Sequence, residues 1–420
     1  MIYIKTVIIE KVISREVFDS RGVPTVEAEV YLSNNIFGSA IVPSGASTGK
    51  YEALELRDYE HNRLLGKGVL KAVNNINTII NDNLKGMEIT NIFQVDKKLL
   101  EIDSSENKSN LGANALLAVS MAFYNAIAKV HEIDLFGLFG GANILKIPIP
   151  MLNILNGGVH ASNNLDIQEF MIIPVNFLSF KEAFVASVEV YHSLKGILKE
   201  KGYSTTVGDE GGFAPSLSSH EEAFDLIIQA IRNANYIDGE NFMIGIDAAS
   251  SEWKTQEKGK YYLPKSKKSF TSHDLVSYWE DLCRKYPIYS IEDGLDEDDI
   301  DGWMDLTERL KDKILLIGDD LFVTNSKRLK EGIKKNIANA ILIKPNQIGT
   351  VYETITTINI AKKANYKVIL SHRSGETEDT TIASLAVGVQ ADFIKIGAPC
   401  RSERVAKYNE LLRIEEKLTK

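Results

Sequence analysis

The sequence predicts a mixed α/β protein in which an α+β module precedes a β/α barrel, and three observations carry that prediction. At 420 residues, the chain has room for a barrel of ~250 residues and a smaller module. Its first third opens with strand patterns and continues with helical ones, the order of an α+β module. From residue 147 onward, eight short apolar runs each end in polar or charged residues, as expected of parallel strands buried on both faces.

The elements follow in order. Residues 1–10 form an apolar stretch broken by Lys5 and Glu10, which reads as an opening strand and not a secretory leader. A strand is expected through 7–17. Residues 25–32 (TVEAEVYL) alternate well enough for a half-buried strand. Asn34-Asn35 marks a turn before a third strand at 36–42. Connections this short make the three strands antiparallel. Helical patterns follow at about 68–84, 92–102 and 113–130. The Gly- and Pro-containing stretch 137–150 is the expected boundary, dividing the chain into 1–138 and 139–420.

The eight later runs lie at 147–153, 169–175, 242–247, 288–293, 314–320, 340–344, 367–372 and 392–397. The polar residues closing the last five, Glu292, Asp319, Lys344, His372 and Lys395, recur at intervals of 27, 25, 28 and 23. One strand, one helix and two loops occupy about that length. A barrel suits this better than an open sheet, because C-terminal strand ends of a β/α barrel meet at one rim and build the site there.

Composition narrows the function classes. Apolar residues make up 44% and charged residues 25%, an ordinary globular balance. With 48 basic and 57 acidic residues the net charge is −9, which leaves no basic footprint for nucleic acid as a primary partner. An anionic ligand would need local cations or a metal. The two cysteines, Cys283 and Cys400, are far apart and lack zinc spacing; they suit packed thiols in a reducing compartment. No apolar run approaches the ~18 residues of a membrane span, so a cytoplasmic address is expected. The six lysines of residues 254–268 read as a solvated loop.

Asp247, Glu292 and Asp319 close three successive barrel strands. Carboxylates gathered at one point repel strongly in a partly dry site, and a hard divalent cation such as Mg²⁺ or Ca²⁺ relieves that repulsion. Lys344 and Lys395 close later strands. A lysine acting as a base must be neutral, far below its ordinary ~10.4, and a nearby cation and a second lysine would both push it down. Between them lies His372-Arg373-Ser374-Gly375. Arginine offers a bidentate fork for phosphate or carboxylate, serine a hydroxyl, and glycine a close backbone approach. Two irregular stretches, Asn156-Gly-Gly-Val-His160 with Gln168-Glu169 downstream and Gly208-Asp-Glu210-Gly-Gly212, flank working residue types with glycine. Residues 44–49 (SGASTG) read as a lid or anion nest without the ending of a nucleotide P-loop.

The matching segments run the length of the chain: SRGVPTVEAEV (20–30), PSGASTG (43–49), LNGGVHASNN (155–164), DIQEFM (166–171), VGDEGGFAP (207–215), GIDAASSEW (245–253), SIEDGLDEDD (290–299), GDDLFVTN (318–325), LIKPNQIGT (342–350), SHRSGETEDT (371–380) and APCRSERVAKYNELLRIEE (398–416). In family order they make the sequence resemble the enolases, the phosphopyruvate hydratases, in their bacterial type. Val23 and Ile396 depart from it, standing where the family often has Asn and Thr.

The resemblance implies an α+β N-terminal domain with a three-stranded antiparallel sheet and an atypical ββαα(βα)₆ barrel. It also implies reversible dehydration of 2-phosphoglycerate to phosphoenolpyruvate with two Mg²⁺ per site. It assigns Asp247, Glu292 and Asp319 to the first Mg²⁺, and Ser44 to the second when a mobile loop at 44–49 closes. Lys344 would be the base and Glu210 the acid. His160, Arg373 and Ser374 would contact the phosphate, and Gln168, Glu169, His372 and Lys395 would line the substrate site. A homodimer or an octamer built as a tetramer of dimers is implied. The competing expectations are another enolase-superfamily reaction, such as a racemase or cycloisomerase, or a structural or cell-surface role. Plasminogen-type binding would use terminal lysines such as Lys417 and Lys420.

Overall fold

The computed structural model describes residues 5–33, 35–45, 49–141 and 146–419. The starting segment 1–4, Asn34 of the expected turn, Ala46–Thr48 of the expected lid, part of the expected boundary at 142–145, and Lys420 lie outside the described residues.

The first sheet contains β1 (Val7–Phe18), β2 (Pro24–Leu32), β3 (Phe37–Ile41) and β4 (Glu88–Ile89), in the order β3-β2-β1-β4 and antiparallel throughout. Alternation buries one face of β2 completely, as its sequence predicts. The three expected strands are present, and β4 adds a fourth of two residues, too few to show a period in sequence. The helix expected at about 68–84 runs as Leu70–Asn75, a π-turn at Ile76–Ile80 and Asn81–Leu84. Gln94–Ile102 and Ala113–Val130 are helical as expected. Among the described residues, Ala113–Val130 is the one helix long and apolar enough to cross a membrane, and 89% of it is buried inside the protein. It is a core helix that packs the sheet against the barrel side of the molecule.

The barrel begins with β5 (Ile149–Asn156), β6 (Glu169–Pro174) and β7 (Phe242–Asp247). A hairpin of β8 (Lys260–Leu263) and β9 (Lys268–Thr271) follows outside the wall. The wall continues with β10 (Ile288–Glu292), β11 (Leu315–Gly318), β12 (Ala340–Ile343), β13 (Lys367–Ser371) and β14 (Phe393–Lys395). The eight wall strands close in the order β10-β11-β12-β13-β14-β5-β6-β7. β6 is antiparallel to both neighbours, whereas the other pairs are parallel. Two helices, Phe180–Glu200 and His220–Asn233, come between β6 and β7, so the wall reads ββαα before its regular repeat. The hairpin replaces the expected loop within 254–268, while the lysines are exposed as expected except Lys265, which is half-buried. Lys254 bonds Asp296 and Glu297 at 2.9 and 3.1 Å, and Lys265 Nζ donates to the carbonyls of Gly158 and Ala161 at 2.7 and 3.0 Å.

The lumen is plugged at one end by Met151, Met171, Ile173, Ile317, Ala340, Leu342, Ile369 and Phe393. Strand periodicity then dictates the layer above. Two residues beyond Ile317, Leu342, Ile369 and Phe393 stand Asp319, Lys344, Ser371 and Lys395 on the same lumen-facing register. Two before Met171, because β6 runs backwards, stands Glu169. An apolar floor thus carries a ring of polar side chains at one mouth.

Candidate active site

The ring at that mouth has two halves. In the first, Lys395 Nζ lies 2.9 Å from Asp247 Oδ2, 2.8 Å from Glu292 Oε2 and 3.1 Å from Glu169 Oε2. Glu292 and Asp247 are paired directly across β10 and β7. Gln168 Nε2 donates to Asp247 Oδ2 at 3.3 Å. Lys344 Nζ pairs with Asp319 Oδ2, and Gln347 Nε2 donates to Asp319 Oδ1 at 2.8 Å. All of these side chains are buried or nearly so.

Their charges follow. Burial raises the Glu292 carboxyl well above its ordinary range, and the neighbouring Asp247 adds to the rise. Burial alone would raise Asp319, but Lys344 outweighs it and holds the carboxyl low. Burial alone would lower Lys344, but Asp319 outweighs it and the ammonium is held above its ordinary value. Lys395 is held well above its own against the same burial, by Asp247, Glu169 and Glu292. The expected depression of Lys344 is therefore reversed while Asp319 is its partner.

In the second half, Glu210 is the centre. Its Oε2 accepts from Asn153 Nδ2 at 3.0 Å and lies 3.4 Å from His372 Nε2; its Oε1 accepts from Ser374 Oγ at 3.2 Å. His160 Nδ1 stands between two carboxylates, 3.5 Å from Glu169 and 3.8 Å from Glu210. Burial would raise Glu210, but His160 and His372 hold it well below its ordinary value; Glu169 is raised well above by burial and then by Glu210. The two carboxyls titrate as a pair. Gly211 turns this stretch with φ +86°, and a Cβ there would sit 2.8 Å from the Cys400 carbonyl, which accounts for the glycine.

Arg373 is 4% exposed. Its guanidinium reaches Glu52 Oε2 at 2.9 Å and Oε1 at 3.2 Å, and Asn346 Oδ1 at 3.0 Å. Gly375 pairs its backbone with Ser44, N to O at 2.8 Å in both directions. The Ser44 hydroxyl, expected at a second cation, instead donates to Glu55 at 3.2 Å and accepts from Arg57 at 2.9 Å. These contacts and the backbone pairing anchor the Ser44 segment to the 372–375 turn.

Four participants escaped sequence reasoning. Asn153 and Gln347 lie inside matched or neighbouring motifs, yet nothing local marks an amide as the partner of a remote carboxylate. Glu52 follows the 44–49 loop among several acids. Arg404, wholly buried, donates to His372 Nδ1 and the Arg373 carbonyl at 2.6 Å, and to the carbonyls of Ser374 and Asp209 at 2.5 and 3.1 Å. Arg404 lies inside the matched segment 398–416, but nothing local marks it as the donor to His372.

Among the described residues, two groups have donor atoms within 4.8 Å of one another that could hold a metal: His160 with Glu169 and Glu210, and Asp293 with Asp319 and Asp320. Of the expected triad only Asp319 falls in the all-carboxylate group; Asp247 and Glu292 are drawn onto Lys395. The donor chemistry fits a hard divalent cation, since Asp247, Glu292 and Asp319 present only carboxylate oxygens to one mouth and are neutralised by lysines. Gln168 Oε1, buried at the same place, has no hydrogen-bond partner. A wide open cavity of about 1470 Å³ lies at the opposite mouth beside Ile149, Pro174, Leu178 and Met243; the converging ionisable groups line a smaller cleft of about 560 Å³.

Two family models match the chain. One, described as the enolase N-terminal domain, matches residues 9–139; the other, described as the enolase C-terminal TIM barrel domain, matches residues 144–420.

Proposed function

Because the chain belongs to the enolase family, we propose that it interconverts 2-phosphoglycerate and phosphoenolpyruvate by removing and restoring water. The observation that carries the reading is one buried mouth holding both a lysine–carboxylate half and a Glu210–histidine–Arg373–Ser374 half. A substrate with a carboxylate at one end and a phosphate at the other matches that division.

Asp247, Glu292 and Asp319 would hold Mg²⁺. When bound, the cation supplies positive charge that offsets the charge building on the substrate carboxylate and relieves Asp319's hold on the Lys344 proton. Lys344 then takes the proton from the carbon beside that carboxylate. Lys395 stays charged and positions the carboxylate. The leaving hydroxyl departs as water only if a proton meets it, and the Glu169–Glu210 pair carries one. Glu210 is the member of the pair that delivers it. Arg373 and Ser374 fix the phosphate. The same reading carries a cytoplasmic address and a dimer or larger assembly, to be checked by light scattering.

The decisive assay is ultraviolet absorbance of phosphoenolpyruvate formed from 2-phosphoglycerate, with and without Mg²⁺. Activity in metal-free buffer, or none with Mg²⁺, would sink the proposal. Lys344→Ala should abolish exchange of the substrate C2 proton with solvent, and retained exchange would remove Lys344 as the base. The racemase and cycloisomerase alternatives have no use for the Arg373–Ser374 turn.

A further inference from the structure

Glu52 lies at the phosphate end of the proposed site. Its carboxylate meets the terminal nitrogens of Arg373 edge to edge, Oε2 to Nη1 at 2.9 Å and Oε1 to Nη2 at 3.2 Å, with the two side chains 8% and 3% exposed. Oε1 also accepts from the Gly49 N–H at 2.9 Å and lies 3.4 Å from Gln347 Nε2, which holds Asp319. The segment is fixed from both sides: Glu52 N–H donates to the Gly49 carbonyl at 3.1 Å, and Ala53 N–H donates to that of Gln347 at 2.8 Å.

A planar guanidinium fork accepts carboxylate and phosphate by the same two-oxygen geometry. In a buried site that fork is screened little by salt. A carboxylate seated on it therefore neutralises the charge an incoming phosphate would use, and both cannot take the same edge. We infer that Glu52 is a resident competitor for the substrate's phosphate group: it occupies the Arg373 fork, and a phosphate dianion displaces it. The inference rests on the reading of Arg373 as the phosphate contact.

Two consequences follow from the contacts. Displacement sets a threshold that a singly charged anion fails to meet and a doubly charged phosphate passes, so Glu52 is a specificity determinant. Displacement also releases Gln347, so arrival of the phosphate is felt by the partner of Asp319 at the other half of the site.

The test is calorimetric titration of the full chain with inorganic phosphate, and separately with acetate, in Mg²⁺ buffer. Glu52→Gln keeps the size of the side chain and removes its charge. It should bind phosphate about tenfold more tightly than the unaltered chain, because apparent affinity rises as the competent fraction rises, and it should bind acetate where the unaltered chain does not. Equal or weaker phosphate binding overturns the inference; a merely structural role for Glu52 predicts that outcome. If Glu52→Gln does not fold, Glu52→Asp, one methylene too short for the fork, carries the same expectation and the same overturning result. Arg373→Gln separates the two layers of argument. If it binds phosphate as well as the unaltered chain, the reading of Arg373 fails and the inference falls with it. If it loses binding while Glu52→Gln gains none, only the inference falls.

Discussion

His372 takes its protonation pattern from Arg404. An arginine has no acceptor, so the Nδ1 that receives its N–H at 2.6 Å carries no proton. The proton of the neutral ring sits on Nε2, facing Glu210 at 3.4 Å. Burial lowers the ring to about 4, so it remains neutral across the working range. Arg404→Met should cost about 3 kcal/mol or more in urea unfolding, because three backbone carbonyls and the imidazole lose their donor in a dry interior. Glu210→Gln should suppress overall turnover far more than exchange of the substrate C2 proton with solvent. Equal loss of both, read by deuterium incorporation, would contradict its place as proton donor. At this scale the sequence was most legible where chemistry is written in strand-end charges: Asp319, Lys344 and Lys395 all stand on the predicted rim. Glu52, Asn153, Gln347 and Arg404 were not legible, because each acquires meaning only through a partner far away in the chain.

Among elements, the barrel strands were legible because continuous apolar runs such as β12 are buried at every position. β4 and the β8–β9 hairpin were not: the first has two residues, and the second is two strands of four residues each, half of them polar. The reversed direction of β6 was hidden too, since an apolar run carries no arrow. One side chain ties elements from opposite ends of the sequence. Asp96, on Gln94–Ile102, accepts from the Tyr352 N–H at 2.7 Å and from Tyr124 OH at 3.2 Å; Tyr352 is in the first turn of the helix Val351–Lys363 that follows Lys344. Burial raises the Asp96 carboxyl from 3.8 to about 6. The folded chain thus binds this proton more tightly than the unfolded chain does. The contribution of Asp96 to stability is fullest below about pH 4 and declines as pH rises to about 6. Asp96→Asn removes that decline. At pH 7.5 it should be more stable than the unaltered chain by up to about 3 kcal/mol, with the gap closing near pH 4, as urea titrations at the two pH values would read. A gap that is constant with pH would contradict the raised carboxyl.

Over the whole molecule, the net charge of −9 is turned to use at one mouth, where Lys344, Arg373 and Lys395 stand among acids. A cation bound by the folded chain alone stabilises it with the logarithm of its excess over the dissociation constant. Mg²⁺ should therefore raise the midpoint of thermal unfolding in a concentration-dependent way, through roughly 2.7 kcal/mol of added unfolding free energy at a hundredfold excess, and Asp319→Asn should blunt the rise. An unchanged midpoint in the unaltered chain would count against a cation at Asp247, Glu292 and Asp319.

The contacts of Lys395 also have a temporal side. Lys395 follows Asp247 by 148 residues and Glu292 by 103, and β14 pairs with β5 to complete the wall. A ribosome delivers the acids first, so a nascent chain exposes them before their lysine exists. Until then the emerging wall lacks its last seam and the lysine that meets Asp247 and Glu292. Truncated chains ending before residue 395 should accordingly lean on divalent ions or chaperones, while the completed chain carries an internal substitute for both.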